Sequence, residues 1–341
     1  MNKPYVSIII PVYNASKFIK SCLENCLSQS LDNIEIIVID DKSTDNTRDL
    51  VIEVSQKDNR VKLIALNENR KQGYARNIGM EQAKSDYIMF LDVDDSYVPD
   101  CVEKMYKKIT KDNADMTVCK FFLIEDGVDI TMEKFDFCTN FATVPKLLQN
   151  GYCYKDFTDK IDLFNRRNVI WDKIYKKSFL VENDIKFPLG MFCEDDVFTF
   201  RAVFRAKKIS ILDERLVYYT VSRKNSSSNL KDRTKFDCFR LFHYLKEDLN
   251  KLGLTEIIDN EYMRFEVYSV LHFYDKVGLL YKYEFFKTMQ KEFLQYKPYI
   301  DNPLNRRSDC RTYTIIDTVL NSNFIKFATI FLLRKVFKRP F

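Results

Sequence analysis

Over the first hundred residues, short apolar runs alternate with segments whose apolar positions recur every three or four residues. Val6-Ser7-Ile8-Ile9-Ile10-Pro11-Val12 is a β-branched run of the kind buried in parallel sheets. A polar turn at Asn14 leads from it into a helical pattern from Lys17 to Gln29. Glu35-Ile36-Ile37-Val38-Ile39 repeats the strand pattern and ends at Asp40-Asp41; Ser43, Thr44 and Asp45 then supply capping side chains for a helix through about Gln56. Val61 to Leu66 predicts a third strand. A glycine-containing loop and a helix around Ala75 to Ala83 lead to a fourth, Tyr87 to Leu91. Strands alternating with helices predict a mostly parallel sheet with crossover helices, in which ligands bind beyond the carboxyl ends of the strands. Those ends carry Asn14, the Asp40/Asp41 pair and the Asp92/Asp94/Asp95 cluster.

Between about Asp126 and Arg167 the pattern loosens into aromatic and charged segments, which reads as a variable insert. Val169 to Tyr175 then carries the only tryptophan, a helix starts at Ser178, and Glu194-Asp195-Asp196 opens a helical pattern to about Arg205. Leu216 to Tyr219 reads as a strand. From about Asp232 onward aromatics and leucines sit three and four apart with charges between them, as in amphipathic helices. The expected organisation is an α/β domain over 1–229, with halves at 1–120 and 121–229, and a helical C-terminal region over 230–341.

Composition places the chain among globular proteins: of 341 residues 46% are hydrophobic and 30% charged, with no low-complexity tract. Nine cysteines without a Cys-x-x-Cys pair suit a reducing cytoplasm, and Cys22 and Cys26, lacking clustered histidines, read as core thiols. Met1-Asn2-Lys3-Pro4 has no signal-peptide pattern, and no apolar stretch reaches the roughly 18 residues of a spanning helix. The net charge is +5, and Asn323–Phe341 carries five basic residues (Lys326, Arg334, Lys335, Lys338, Arg339) and no acid. No nucleic-acid partner is expected.

The strand Tyr87 to Leu91 ends in three carboxylates within four residues. Side chains two apart on an extended segment point the same way, so Asp92 and Asp94 can converge beyond the strand end. Hard cations such as Mn²⁺ or Mg²⁺ take such oxygen ligands and could bridge them to a diphosphate. The alternative is a solvated turn and helix cap.

These residues resemble the family 2 glycosyltransferases. The landmarks occur in the family's order: Ser7 to Asn14, Ile39 to Asp45, Gly73-Tyr74-Ala75-Arg76-Asn77-Ile78-Gly79, Phe90 to Asp95, Trp171 to Tyr175, and Glu194-Asp195 followed by Phe198. The resemblance covers roughly the first 230 residues. It implies a GT-A fold, a nucleotide-binding first half, an acceptor-binding second half, and inverting transfer of a sugar from a nucleotide-diphosphate donor.

For a UDP-sugar donor, the resemblance places the base near Pro11, Val12, Tyr13 and Asn14, with Asp41 or Asp40 accepting the uracil imide N–H; a helix cap is the alternative. Arg76 is expected at the phosphates, because a guanidinium can pair two oxygens at once. Gly73 and Gly79 read as sites of close backbone approach. Asp92 is implied to touch the ribose or uridine, and Asp94 to ligate the metal. Asp195 maps onto the family's catalytic base, with Glu194 beside it on acceptor or donor sugar; Asp196 leaves open which acid faces the acceptor. Trp171 and Tyr175 are either a sugar platform or core, Lys173 is expected at the donor phosphates, and Arg223 on a loop that closes over them. His243 and His272 lie outside the motifs and read as structural.

The implied activity is transfer of a sugar to a glycan or lipid-linked acceptor in surface polysaccharide or lipopolysaccharide synthesis. A sugar nucleotidyltransferase and a non-catalytic nucleotide-sugar-binding subunit are the rival functions. The segment from Phe324 to Phe341 has the character of an interfacial amphipathic helix, which would hold the enzyme at an anionic membrane surface on the inner face of the plasma membrane. The other reading is a helix docked on its own domain or on a second copy in a homo-oligomer.

Overall fold

The computed structural model describes residues 3–125, 128–129, 169–221, 230–302 and 310–336. The chain divides into two compact units, Met1–Lys224 and Asn225–Phe341. The boundary expected near Asn229 and nearly all of the 126–167 segment lie outside the described residues.

Four strands, β1 (Val6–Val12), β2 (Ile34–Asp40), β3 (Val61–Ala65) and β4 (Tyr87–Phe90), alternate with helices α1 (Ile19–Leu27), α2 (Thr47–Lys57) and α3 (Lys71–Gln82). β1 pairs in parallel with β2 and β4, and β2 with β3. Every residue of β1 and β2 is buried, which is why both read as continuous apolar runs rather than alternating ones. The two polar residues inside them face each other in register: Ser7 Oγ donates to Glu35 Oε1 at 2.6 Å, and Lys62 pairs with Glu35, so the buried charge is compensated.

Past β4 the sheet becomes mixed. The further elements are β5 (Ser96–Tyr97), α4 (Cys101–Asp112), β6 (Met116–Glu125), β7 (Val128–Asp129), β8 (Lys173–Lys176), α5 (Lys177–Glu182), α6 (Glu194–Arg205) and β9 (Ile209–Thr220). The strand order is β3-β2-β1-β4-β8-β6-β9-β5, with β7 on β6. β8 runs antiparallel to both β4 and β6, whereas β6 and β9 are parallel. The parallel expectation therefore holds for the first four strands and for the β6–β9 pair but not at β8, because an apolar run reads the same whichever way its strand points. β9 is also longer than the apolar stretch Leu216 to Tyr219. Its polar interruption is an irregularity in the ladder, with register shifts against Cys119, Lys120 and Phe121.

The second unit is helical: α7 (Asp237–Lys251), α8 (Thr255–Lys276), α9 (Lys282–Phe293), α10 (Lys297–Ile300), α11 (Cys310–Asn321) and α12 (Phe324–Val336). Phenylalanines dominate its core. Phe327 of α12 is fully buried, stacked on Phe286 at 4.9 Å and edge-on to Tyr274 at 5.2 Å. His243 bonds Glu292 at 2.9 Å on the surface of this unit.

Glycine sets the position of α3 on the sheet. A Cβ on Gly79 would sit 2.4 Å from Ile9 Cγ2 on β1, and one on Gly73 would sit 2.8 Å from the Pro188 carbonyl oxygen and 3.1 Å from Glu194 Cγ. The helix can lie this close only because both positions lack a side chain. Gly79→Ala must push α3 off β1, and the expected loss is about 1–3 kcal/mol, typical of overpacking. A thermal unfolding curve superimposable on that of the unaltered protein would contradict this packing.

Candidate active site

The carboxyl end of β1 is tied to the loop after β2 by side chains that the two turns exchange. Asn14, in the left-handed region at φ 51°, donates its amide to Ser43 Oγ at 2.9 Å, and its Oδ1 accepts from the Thr44 amide at 2.8 Å. Asp45 caps the start of α2 through the Thr47 amide at 3.0 Å and reaches back to the Ser16 amide at 3.1 Å. In the segment Pro11 to Asn14, Pro11 and Val12 are buried, whereas Asn14 is exposed and Tyr13 is 51% exposed.

The two aspartates at the end of β2 separate in role. Asp40 is fully buried; its Oδ1 accepts from the Ser43 amide at 3.2 Å and its Oδ2 from Arg48 Nη2 at 2.9 Å. Asp40 is therefore not a base-recognition residue in this structure, contrary to the alternative left by the sequence, because its carboxylate is consumed locally. Asp41 Oδ1 accepts from the Arg70 amide at 2.7 Å and Oδ2 from the Lys71 amide at 2.8 Å. It thus caps α3, some thirty residues on, where a negative charge also meets the positive end of the helix dipole. Burial pushes the Asp41 carboxyl up, and the two amides pull it back. Each oxygen keeps a second lone pair for a further donor.

Arg76, on α3, is buried. Nη1 donates to Glu194 Oε1 at 2.7 Å, and Nη2 donates to Asp92 Oδ1 at 2.7 Å and Gln72 Oε1 at 2.9 Å. The guanidinium lies 5.4 Å from the centre of the Phe187 ring. Both terminal nitrogens of Arg76 are thereby engaged by protein side chains rather than turned to a donor phosphate, while Nε has no hydrogen-bond partner among the described residues. Gln72 was not anticipated, although its place one helical turn before Arg76 is the spacing at which helix neighbours meet.

Glu194 and Asp195 open α6. Cys193, at φ 70°, turns the chain into a first turn that holds Glu194, Asp195 and Asp196, a position the helix dipole favours for acids. Glu194 is buried against Arg76, whereas Asp195 is half-buried and accepts from the Asp196 amide at 3.1 Å. Burial, then the neighbouring Asp195, push Glu194 up to about 7, with Arg76 pulling the other way. Burial also raises Asp195, opposed by Arg76 and reinforced by Asp92. Glu194 and Asp195 thus share the field of Arg76, and their titrations belong to the pair rather than to either acid.

Beyond β4, the Asp95 amide donates to the Asp92 carbonyl at 3.0 Å, which closes the acidic turn. Asp92 and Asp94 are half-buried. Asp95 is buried and bonds the Thr220 amide at 3.0 Å, while Thr220 Oγ1 donates to the Asp94 carbonyl at 3.0 Å. Asp95 therefore anchors the end of β9. Burial, then Asp92, hold its carboxyl well above the usual range. Thr220 carries no motif, and nothing in the sequence pointed to it. Among the described residues no group of three or more His, Cys, Asp and Glu side chains is gathered to hold a metal by itself. The carboxylates of Asp92 and Asp94 are nonetheless the ligand type that Mn²⁺ and Mg²⁺ take, with further oxygens to come from a diphosphate.

Of the two readings left for Trp171 and Tyr175, the packing matches the core one, and Lys173 also turns inward. Trp171 is buried, edge-on to Phe121 at 4.8 Å and stacked on Tyr219 at 4.8 Å. Tyr175 is buried against Phe90 and Phe198. Both are core, and neither offers a face to a sugar. Lys173 is buried as well, its Nζ at 2.5 Å from both Asp172 Oδ1 and the Val169 carbonyl oxygen, so it does not reach out to phosphates. Arg223 lies outside the described residues.

Residues 7–169 match the family model described as Glycosyl transferase family 2. The matched segment, just under half of the chain, is similar to glycosyl transferase family 2. The matched segment contains the strand-end turns, Arg76 and the acidic turn, while Glu194 and Asp195 follow it. Among relatives, EpsH of Bacillus subtilis, named as a glycosyltransferase, is 34% identical over 224 residues, which is 65% of this chain and 62% of EpsH. TarS of Staphylococcus aureus, named a poly(ribitol-phosphate) beta-N-acetylglucosaminyltransferase, is 29% identical over 264 residues, 74% of this chain and 42% of TarS. The chain therefore spans about three fifths of the first and less than half of the second. A crystallised TarS fragment superimposes with a TM-score of 0.70 at 20% identity, over 97% of this chain and 91% of the fragment. The same fragment in complex with UDP gives 0.66 at 22% identity, over 93% and 90%. A mannosyltransferase from Pyrobaculum calidifontis, in complex with GDP-Man and Mn²⁺, gives 0.51 at 14% identity, over 98% of this chain and 89% of that one. The fold is the GT-A fold implied by the resemblance.

Removing Arg76 leaves Asp92 and Glu194 without the cation that compensates them. Arg76→Ala is expected to lose about 3–5 kcal/mol of stability, the usual cost of breaking a buried ion pair from one side. The Glu194 carboxyl moves further up, because the group that lowers it is gone. Chemical denaturation and carboxyl ¹³C NMR check both effects; a change below about 1 kcal/mol would show that the pairs carry little.

Proposed function

We propose that the protein is an inverting glycosyltransferase that transfers a sugar from a UDP-sugar to a hydroxyl of a glycan or lipid-linked acceptor in the assembly of a surface polysaccharide or lipopolysaccharide. The observation that carries this reading is the meeting, on Arg76, of the acidic turn after β4 and the acidic start of α6. Two carboxylate sites far apart in sequence are thereby brought to one place at the carboxyl edge of the sheet, where α/β folds bind ligands. The UDP complex of the TarS fragment and the Mn²⁺ complex of the mannosyltransferase, both of this fold, support the donor and metal classes.

In this reading exposed Tyr13 stacks on the uracil and Asp41 accepts its imide proton through a remaining lone pair. Asp92 lies toward the ribose. Asp94, with Asp92, would hold Mn²⁺ or Mg²⁺, which supplies charge neutralisation for the departing diphosphate. Asp195 takes the proton from the acceptor hydroxyl. The freed oxygen lone pair forms the new bond at the anomeric carbon from the face opposite the leaving group, and the old bond's electron pair departs on UDP. The raised proton affinity of Asp195 makes it a stronger base than a solvated aspartate. Glu194, held by Arg76, positions rather than abstracts. The expected result for Asp195→Asn is a folded protein that binds UDP by calorimetry with transfer reduced about 10²-fold or more. Asp94→Ala should lose metal-dependent turnover. UDP binding without sugar release under any metal would make the chain a binding subunit instead.

The same reading places the protein at the inner face of the plasma membrane. No helix among the described residues is long and apolar enough to cross a membrane. α12 is docked within its own unit through Phe327, yet Ile325, Leu332 and Leu333 remain 76%, 60% and 50% exposed. With five basic residues and no acid from Asn323 to Phe341, this helix suits an anionic lipid surface. A chain carrying Glu at positions 325, 332 and 333 is expected to stop sedimenting with vesicles containing anionic lipid while keeping its fold. Undiminished sedimentation of that variant would remove the membrane role.

A further inference from the structure

The outward edge of β9 carries a cleft that no step of the proposed transfer uses. β9 has two residues, Asp213 and Glu214, without partners in its ladder, since Cys119 pairs with Leu212 and the next residue, Lys120, with Arg215. At this bulge lies an open surface cleft of about 470 Å³ lined by Val98, Lys104, Lys120, Phe122, Asp213 and Arg215 among others. Its charges balance across the opening: Lys104 bridges Asp100 at 2.8 Å and Glu214 at 2.6 Å, and Lys120 pairs with Asp213.

A strip of aromatic surface leads from the cleft toward the acidic turn. The Arg215 guanidinium lies 5.7 Å from the Phe122 ring, and Phe122 stacks on Tyr218 at 4.9 Å with an interplanar angle of 20°. Tyr218 is 36% exposed and pairs with Ser96 of β5, just beyond Asp95. Two residues further, on the same face of the strand, Thr220 Oγ1 bonds the Asp94 carbonyl. Arg215 to Thr220 spans roughly 16 Å of extended chain, so the strip runs from the cleft to the loop that bears Asp94.

We infer that the cleft and the Phe122–Tyr218 strip form a subsite for an uncharged, hydroxyl-rich saccharide segment of the acceptor. This inference rests on the glycosyltransferase reading for its role but not for its chemistry. Flat aromatic faces stack on the C–H surface of sugar rings, and interleaved cationic donors and carboxylate acceptors match hydroxyls, which both donate and accept. A polyanion would meet Asp100, Asp213 and Glu214, and an apolar ligand would desolvate three cations and three acids without replacing their hydrogen bonds. The bulge is the device that sets these groups around a concavity, as bulges beside functional sites do.

The test is nucleotide-free binding to the full chain, read by saturation-transfer NMR with maltohexaose and chitohexaose, and with dextran sulfate as the anionic comparison. The expected result is saturation transfer to at least one neutral oligosaccharide, weakened about fivefold by Phe122→Ala and by Tyr218→Ala, with UDP affinity unchanged in both variants. Arg215→Gln, which leaves both rings in place, guards against a folding defect and should weaken binding as well. Absence of transfer to both neutral oligosaccharides, equal binding by all three variants, or stronger binding of dextran sulfate overturns the inference. Loss of UDP binding in the unaltered chain would count against the donor reading alone, because the saccharide measurement contains no nucleotide.

Discussion

A buried guanidinium has few stable environments, and Arg76 occupies one made of carboxylates from two distant parts of the chain. Asp92 lies 16 residues away and Glu194 lies 118, yet each places an oxygen 2.7 Å from a different nitrogen of the same fork. The energy of an unpaired buried charge is large enough that any arrangement separating these groups is strongly disfavoured. Once α3 is seated, the end of β4 and the start of α6 have little freedom left. The seat itself comes from glycine: Gly79 lets α3 lie against Ile9, and Gly73 makes room for the side chain of Glu194.

The same interaction sets the electrostatics of the site. Asp92, Glu194 and Asp195 surround one cation, so full ionisation leaves an excess of negative charge in a partly buried place, and the carboxyls of Glu194 and Asp195 are held above their ordinary range. A site of this kind holds a proton readily and releases it when a positive partner arrives. In the proposed reaction a divalent cation on the donor side would be such a partner, which links donor binding to the readiness of Asp195 to act as base.

Much of the first four-stranded part of the sheet was legible because its signals are local. The strands β1, β2 and β4 are β-branched or apolar runs that end at polar residues, and their limits agree with the sequence pattern to within a residue or so. The acidic turn after β4 and the acidic first turn of α6 were visible as runs of adjacent carboxylates. Individual side-chain roles were harder to read. Asp40 and Asp41 are neighbours with the same chemistry, but one faces Arg48 and the other the start of α3. Trp171 and Lys173 sit in a segment that resembles a ligand motif, yet packing against Tyr219 and pairing with Asp172 turn both inward. Asp95 was the ambiguous member of its cluster, and its partner Thr220 comes from a strand 125 residues later.

The order of elements, the class of sheet over its first four strands, the polar strand ends and the family resemblance follow from the sequence alone. Each depends on periodicity, adjacency or short motifs, which are properties of neighbouring residues. The antiparallel insertion of β8, the burial of Arg76, the capping of α3 by Asp41 and the bulge at the cleft on β9 were decided by tertiary structure. Each is a contact between segments far apart along the chain, and one-dimensional patterning does not specify which buried charge will find which partner.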